Sequence, residues 1–202
     1  MIILEDTRNQ VGKHDLKAEY FEKNGIEIRR TKLYVGDYTL PTNQSICIDT
    51  KKDIQELIGD ICGKQHERFR AELLRAQESG IKLIILIEDD GGYCDYKKTI
   101  YNKPVTCLDD LFRWKNPRLF IWRNGKQLYP SATKGAVLAK ACITMRDKYG
   151  VDFQFCRKVD AGKRIIELLT PTNGAIDEEK LRREKYGAAI YTGGGEDGNN
   201  TD

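Results

Sequence analysis

The sequence predicts an α/β fold in which a mixed central β-sheet is flanked by helices. Short segments that are apolar, or in which apolar and polar residues alternate, are interspersed along the chain with amphipathic segments of helix length. The most apolar run, Leu83 to Ile87, is typical of a buried central strand and is too short to span a bilayer. A hydrophobic content of 40% with 32% charged residues is ordinary for a globular chain and excludes global disorder.

Apolar spacing and turn residues predict the elements of the first half: strands at 2–4, 26–30, 33–40 and 45–50, and helices at 14–24, 53–60 and 65–79. Leu16, Tyr20 and Phe21 share one face of the first helix, which the pair Asn24-Gly25 ends. Asp53 is a suitable N-cap for the second helix.

The second half is predicted to complete the domain with strands at 82–88 and 151–155 and helices at 131–148 and 159–169. Between them, residues 89–130 read as a loop-rich insertion with one short helix at 108–114. We therefore expect one domain over residues 1–170. Residues 171–202 are predicted to form a charged, flexible tail with a helical segment at 176–186.

The net charge of +3 comes from 34 Lys and Arg against 31 Asp and Glu. Residues 195–202 hold three acids and no base, so the preceding 194 residues are more basic than the total suggests. This permits a polyanionic partner without requiring one. Six scattered cysteines and two histidines lack metal-ligand spacing, so we expect no zinc site. The N-terminus lacks a basic, cleavable leader and no run spans a membrane, so we expect a cytoplasmic protein, or one of the host-cell cytoplasm if it is phage-encoded.

Chemistry-bearing residues concentrate between residues 36 and 51. If 33–40 and 45–50 pair as a hairpin, the turn brings Asp37 near Asp49, and strand alternation sends Asp49 and Lys51 to the same face. Two carboxylates, completed by the Thr50 carbonyl, can hold a hard divalent cation, and a lysine can orient a water or stabilise phosphorane charge. The same residue pattern also occurs by chance, and hairpin ends are often simply solvated.

Five segments together resemble the XPF-type structure-specific nuclease domain of the PD-(D/E)xK superfamily: ILEDTRNQ, LYVGDYTL, ICIDTKKD, KQHERFRAEL and IKLIILIED. The Val-Gly-Asp-Tyr element is matched in full by residues 35–38, and the Glu-Arg-Lys signature appears as Asp49-Thr50-Lys51. The resemblance covers residues 1–88 well and 131–169 loosely, and it is closest to compact, single-domain phage and bacterial versions. It implies a restriction-endonuclease-like core.

The resemblance also implies a role for each site residue. Asp37, Asp49 and the Thr50 carbonyl would bind Mg²⁺ or Mn²⁺, Asp6 would assist, and Lys51 would position or activate the water. Cleavage would leave 5′-phosphate and 3′-hydroxyl ends. Three departures stand out: Asp49 for glutamate, Thr50 for arginine, and Asn9 where the first-strand motif usually has glutamate.

DNA contacts are expected from five residues around this site: Arg8, Lys52, Lys64, Gln65 and Arg68. Such phosphate contacts position a substrate without reading its sequence. His66 could add a phosphate or structural contact. The larger relatives carry a tandem helix-hairpin-helix module, but only about 33 residues follow Leu169. We therefore expect the nuclease domain, a homodimer formed through the helices at 131–148 and 159–169, or another protein to grip DNA.

The insertion interleaves aromatic and basic residues: Trp114, Arg118, Trp122, Arg123 and Lys126. They could stack single-stranded bases beside phosphates, or form the local core of the insertion. For the whole chain we predict a divalent-metal-dependent DNA endonuclease acting at branched or single-strand/double-strand junctions. A catalytically weak DNA-binding or scaffolding module of the same fold, and a junction-resolving or restriction-type nuclease, are the alternatives.

Overall fold

A computed structural model of the chain describes residues 1–9, 15–93 and 101–170. In chain order the core elements are β1 (Ile2–Asp6), α1 (Asp15–Lys23), β2 (Glu27–Thr31), β3 (Tyr38–Leu40), β4 (Asn43–Lys51), α2 (Ile54–Ile61), α3 (His66–Glu78), β5 (Lys82–Glu88), α5 (Gly135–Tyr149), β10 (Asp152–Cys156) and α6 (Ala161–Leu169). Between β5 and α5 lie β6 (Gly92–Tyr93), β7 (Tyr101–Asn102), α4 (Leu108–Leu111), β8 (Trp122–Arg123) and β9 (Lys126–Gln127). The predicted order of core elements is confirmed.

The core is one six-stranded mixed sheet in the order β10-β5-β4-β3-β1-β2. β4 pairs in parallel with β5, and β5 with β10, whereas β3 runs antiparallel to both β4 and β1. The five apolar residues of β5 are all buried, as expected of a strand covered on both faces. The predicted mixed α/β fold class is confirmed.

Two hydrophobic clusters cover opposite faces of the sheet. On one face, α2, α3 and α5 pack through residues such as Leu57, Phe69 and Leu138. On the other face, α1 and α6 pack through Phe21 and Ile165. Cys47 of β4 belongs to the first cluster and Ile48 to the second. Because side chains alternate between the two faces along a strand, Asp49 and Lys51 lie on the same face as Cys47, the one covered by α2 and α3.

The strand predicted at 33–40 is mostly wrong, because only Tyr38–Leu40 forms β3. Residues 33–37 instead form an irregular loop in which Gly36 adopts a φ of 71°. Tertiary hydrogen bonds hold this loop, since Leu33 N donates to Asp6 and Gly36 N to Glu72. β4 is longer than predicted and begins at Asn43, so the turn between the strands is shorter.

Helix boundaries differ less from the prediction. Asp53 caps α2 as predicted, because its Oδ1 accepts from Glu56 N at 2.8 Å. α5 begins four residues later than predicted and ends at Gly150, whose φ is 69°. Within the described residues, no helix is long and apolar enough to cross a membrane. The predicted tail at 171–202, its helix at 176–186, and part of the 89–130 insertion lie outside the described residues.

Candidate active site

Asp49 and Lys51 occupy the carboxyl end of β4, on the face covered by α2 and α3. Both are buried, with 6% of each residue exposed. The capped start of α2 follows immediately, because Glu56 Oε2 also accepts from Lys52 N at 2.8 Å. This reciprocal capping fixes where the strand stops and the helix starts, and so fixes the backbone around Lys51.

The Lys51 ammonium bridges two buried carboxylates. Its Nζ lies 2.7 Å from Asp49 Oδ2 and 2.8 Å from Asp60 Oδ2, which α2 supplies. Although burial by itself favours the neutral amine, Asp49 and Asp60 raise the pKa of Lys51. Lys51 is therefore a positive charge at neutral pH. Asp60 was not among the residues predicted from the sequence.

Burial raises the pKa of the Asp49 carboxyl to about 8, and the nearby Asp37 and Glu72 act in the same direction against the effect of Lys51. Asp49 Oδ2 is fully enclosed and, apart from its ion pair with Lys51, accepts no hydrogen bond. This end of the sheet thus gathers more carboxylates than its cations balance.

Asp37 reaches the same place from the loop before β3. Its Oδ2 accepts from the Thr50 amide at 2.8 Å and the Thr50 hydroxyl at 2.7 Å. Burial raises the pKa of Asp37, and the hydrogen bonds from Thr50 oppose the shift. The structure thus brings Asp37, Asp49 and Lys51 together, as the hairpin argument predicted. For Thr50 it gives contacts of the amide and hydroxyl, and the role of its carbonyl as a metal ligand stays a prediction.

Gly36 sets the direction of the Asp37 side chain. Its left-handed backbone conformation favours glycine, and a Cβ there would lie 3.0 Å from Ile48 O. The close approach lets Asp37 N donate to Ile48 O at 2.7 Å. Glycine therefore precedes Asp37 in the motif for a steric reason, because the loop passes directly against β4.

Glu72 is a site residue that the sequence did not reveal. From the middle of α3, its Oε1 accepts from Gly36 N at 3.0 Å. It also lies close enough to raise the pKa values of Asp37 and Asp49. The sequence did not distinguish Glu72 from an ordinary surface residue, because its spacing from Arg68 suits the i,i+4 ion pair that surface helices often carry. Among the described ion pairs, Glu72 forms none with Arg68.

We expect Glu72→Ala to lower the free energy of unfolding by about 1–2 kcal/mol, because the Gly36 amide loses its acceptor. Glu72→Gln keeps an Oε1 acceptor and should unfold near the wild-type urea midpoint, yet need more divalent metal for half-maximal cleavage. Glu78→Ala, on an exposed position of the same helix, is the matched control. Equal destabilisation by the Gln and Ala variants would contradict the role of Glu72 as the loop acceptor.

Asp6 lies at the end of β1 and is 1% exposed. Both of its oxygens are engaged: Arg8 Nε and Nη2 donate to Oδ1 and Oδ2 at 2.8 Å each, and Leu33 N donates to Oδ2. Although burial opposes the change, the hydrogen bonds from Arg8 lower the pKa of Asp6. In this arrangement Asp6 positions Arg8 and the loop at 33–37. Its predicted assistance to a metal stays a prediction.

Arg8 keeps 56% of its side chain exposed while it is held by Asp6. Hydrogen bonding to Asp6, with Glu72 and Asp37 nearby, raises the pKa of its guanidinium. The remaining predicted DNA contacts, Lys52, Lys64, Gln65 and Arg68, are all exposed around the starts of α2 and α3. Arg68 lies one turn before Glu72 and so shares its helix face.

His66 makes a structural contact, since its Nδ1 lies 2.7 Å from Ile61 O. The cysteines are distributed through the fold: Cys47 and Cys142 are buried, Cys62 is exposed, and all five described thiols are free. Cys94 and His14 lie outside the described residues.

The site's donor set fits a hard divalent cation in kind. All its candidate ligands are oxygens, which suit Mg²⁺ or Mn²⁺ better than zinc. The enclosed Asp49 Oδ2 and the raised pKa values of both aspartates are what uncompensated ligands of a cation would show. Over residues 1–9, 15–93 and 101–170, however, no three His, Cys, Asp or Glu side chains already converge as a metal centre.

Comparison with known families identifies the domain that carries this geometry. Residues 6–169 match the model of the ERCC4 domain. The chain belongs to the ERCC4 domain family. This confirms the XPF-type nuclease domain that the Gly36-Asp37 and Asp49-Thr50-Lys51 motifs indicated, and it supports a DNA nuclease.

Solved structures were compared with this ERCC4 domain. XPF from Aeropyrum pernix is similar with a TM-score of 0.53 and 15% identity, over 96% of this chain and 76% of that one. A second structure, XPF from Aeropyrum pernix in complex with DNA, gives a TM-score of 0.49 and 14% identity over 83% and 62% of the two chains. The similarity to the first of these structures confirms the restriction-endonuclease-like fold. Comparison with curated proteins finds no matching sequence.

Proposed function

We propose that this ERCC4 domain protein is a divalent-metal-dependent endonuclease that hydrolyses DNA phosphodiester bonds at branched structures or single-strand/double-strand junctions. The observation that supports this most directly is the cluster of Asp37, Asp49 and Glu72, in which Asp49 is buried and paired with Lys51. A structural salt-bridge network would balance its charges, whereas this one gathers more carboxyl groups than cations at the carboxyl end of β4.

Asp37 and Asp49 would hold Mg²⁺ or Mn²⁺, with the Thr50 carbonyl as a further ligand and Asp6 behind them. When bound, such an ion polarises the phosphodiester and makes a bound water more acidic. Asp37 is well prepared for this role, because Thr50 fixes its Oδ2 and no described residue donates to its Oδ1.

Lys51 is better suited to electrostatic work than to proton abstraction. The raised pKa of its ammonium keeps it protonated at neutral pH, so it cannot act as the general base there. It would orient the attacking water and stabilise the negative charge that grows on the phosphorus oxygens. Arg8, exposed beside the cluster, would bind a phosphate of the same strand.

A panel of DNA substrates under defined metal conditions tests this proposal. We expect cleavage of a fork or flap with Mg²⁺ or Mn²⁺, none in EDTA, and little cleavage of a linear duplex. Activity that survives EDTA would overturn the metal requirement. Equal rates on linear duplex would overturn the preference for junctions, and a preference for four-way junctions would indicate a resolving enzyme.

A binding-only module is the second candidate, because Asn9, Asp49 and Thr50 depart from the family's motifs. Calorimetric titration with Mn²⁺ separates the two, with Asp49→Asn as the reference. Binding of Mn²⁺ that disappears in Asp49→Asn supports the enzyme, whereas no heat from either protein supports the module.

The homodimer through α5 and α6 stays a prediction. Val137 and Val159, on and beside these helices, are about half exposed.

A further inference from the structure

The stretch from Leu111 to Arg146, which covers the later part of the connection between β5 and α5 and most of α5, is strongly and one-sidedly basic. Between Asp110 and Asp147 the sequence has eight Lys and Arg residues and no Asp or Glu. Within the described part of the chain, Arg113, Arg118, Arg123 and Lys126 are exposed and form no ion pair with a carboxylate. A solvated structural surface normally mixes both signs, so this distribution indicates a polyanionic partner.

The root of this segment is firmly packed. Trp114 is 8% exposed and Asn116 is 1% exposed. At Gly135, the first residue of α5, a Cβ would clash with the carbonyl oxygens of Leu111 and Trp114. Gln55 Nε2 donates to Asn116 Oδ1 at 2.9 Å, which ties the root to α2 only four residues beyond Lys51. The basic segment therefore starts beside the candidate active site.

Beyond this root, Trp122–Gln127 form what we call the basic hairpin. Its turn is Asn124-Gly125, with φ values of 49° and 72°, as a tight two-residue turn requires. Arg123 pairs directly with Lys126 across the strands. Two like charges opposite each other repel and destabilise a hairpin. A phosphate bound between Arg123 and Lys126 would remove this repulsion.

Aromatic side chains lie exposed among these cations. Trp122 is 63% exposed and Tyr129 is 46% exposed, with the Arg118 guanidinium 5.9 Å from the Tyr129 ring centroid. Trp114, by contrast, is buried in the hydrophobic cluster that also contains residues of α2, α3 and α5. Trp114 therefore fits the hypothesis of a local core, and Trp122 fits the hypothesis of a surface on which bases stack.

We infer that the basic hairpin, with Arg118 and Tyr129, is a binding site for single-stranded DNA. Bases stack on exposed aromatic rings at comparable strength whatever their sequence, while Arg and Lys neutralise the phosphates between them. A duplex keeps its bases stacked on one another and offers this surface only its backbone. The inference rests on the proposed function in one respect: the strand bound here is the single-stranded arm of the junction that the active site cuts.

Binding of a fluorescently labelled oligonucleotide, measured by anisotropy in EDTA, tests this site without cleavage. We expect Trp122→Ala, and separately the pair Arg123→Glu and Lys126→Glu, to weaken binding of the single strand about tenfold or more. Affinity for a blunt duplex of the same sequence should change by less than about twofold. The charge-reversed pair should also flatten the salt dependence of single-strand binding, because phosphate contacts are lost.

Intrinsic fluorescence separates stacking from charge. The oligonucleotide should quench part of the wild-type emission, whereas in Trp122→Phe the emission left from buried Trp114 should not respond although binding persists. Lys82→Glu is the charge-reversal control, because Lys82 is exposed at the start of β5, the end opposite the site. Circular dichroism confirms that each variant is folded.

The outcomes distinguish this inference from the proposed function. Unchanged single-strand affinity in both hairpin variants overturns the binding site, whatever the wild-type protein cleaves. Equal losses for single strand and duplex overturn it in favour of a general electrostatic surface. Tight single-strand binding that depends on Trp122, in a protein that cuts no substrate with any metal, leaves the hairpin site standing and removes the nuclease proposal.

Discussion

Asp49→Ala is expected to lower cleavage of a fork substrate roughly a thousandfold or more, with little change in DNA affinity. Losing a ligand that fixes the metal removes several kcal/mol of transition-state stabilisation. The predicted DNA contacts lie elsewhere, on exposed side chains such as Arg8 and Arg68. Single-turnover cleavage with saturating Mg²⁺, and anisotropy with Ca²⁺ in its place, measure the two quantities.

Asp49→Asn separates chemistry from folding, because it preserves volume while removing the charge. Asp49 is enclosed near Asp37 and Glu72, and Lys51 keeps Asp60 as a partner in this variant. The urea midpoint should therefore stay the same or rise while cleavage is lost. Asp147→Ala, which removes an exposed carboxylate from α5, should leave cleavage unchanged. A fork cut at the wild-type rate by Asp49→Ala would refute the assignment of the site.

Lys51→Met is expected to abolish cleavage and also to destabilise the fold by about 3–5 kcal/mol, because the buried Asp49 and Asp60 then lose their shared counter-ion. The Lys51 and Asp60 side chains are only 7% and 8% exposed, so water cannot replace the missing ammonium. Chemical unfolding in urea, followed by tryptophan emission, gives the free energy.

The double variant Lys51→Met with Asp60→Asn should recover much of this stability while remaining inactive, since no unpaired charge is left at Asp60. Arg29→Met is the matched control, because its ion pair with Glu27 is exposed on both sides. Its removal should cost less than about 0.5 kcal/mol. If Lys51→Met and Arg29→Met lose equal stability, the buried bridge does not have the role described for it.

The sequence predicted most successfully what local patterns determine. The continuous apolar run of β5 specifies a central strand, and alternation within β4 places Asp49 and Lys51 on one face. Asp53 caps the start of α2 and Gly150 caps the end of α5. Capping depends on neighbours only a few residues away.

What could not be predicted depends on contacts between distant segments. Residues 33–37 look like a strand by composition, but bonds to Asp6 and Glu72 hold them in a loop. Asp60 and Glu72 resemble ordinary helix-surface acids until packing turns them toward Lys51 and Gly36. The buried ion pair between Lys17 and Glu88, on the opposite face of the sheet, likewise joins residues with no shared motif.

The short helix α2 has two attachments with different roles. Near its start, Gln55 holds Asn116 at the root of the basic hairpin, and near its end Asp60 holds the ammonium of Lys51. Any tilt or shift of these eight residues moves both attachments together. The site proposed to hold a DNA arm and the ammonium proposed to act on the scissile bond are thus connected through about a turn and a half of one helix.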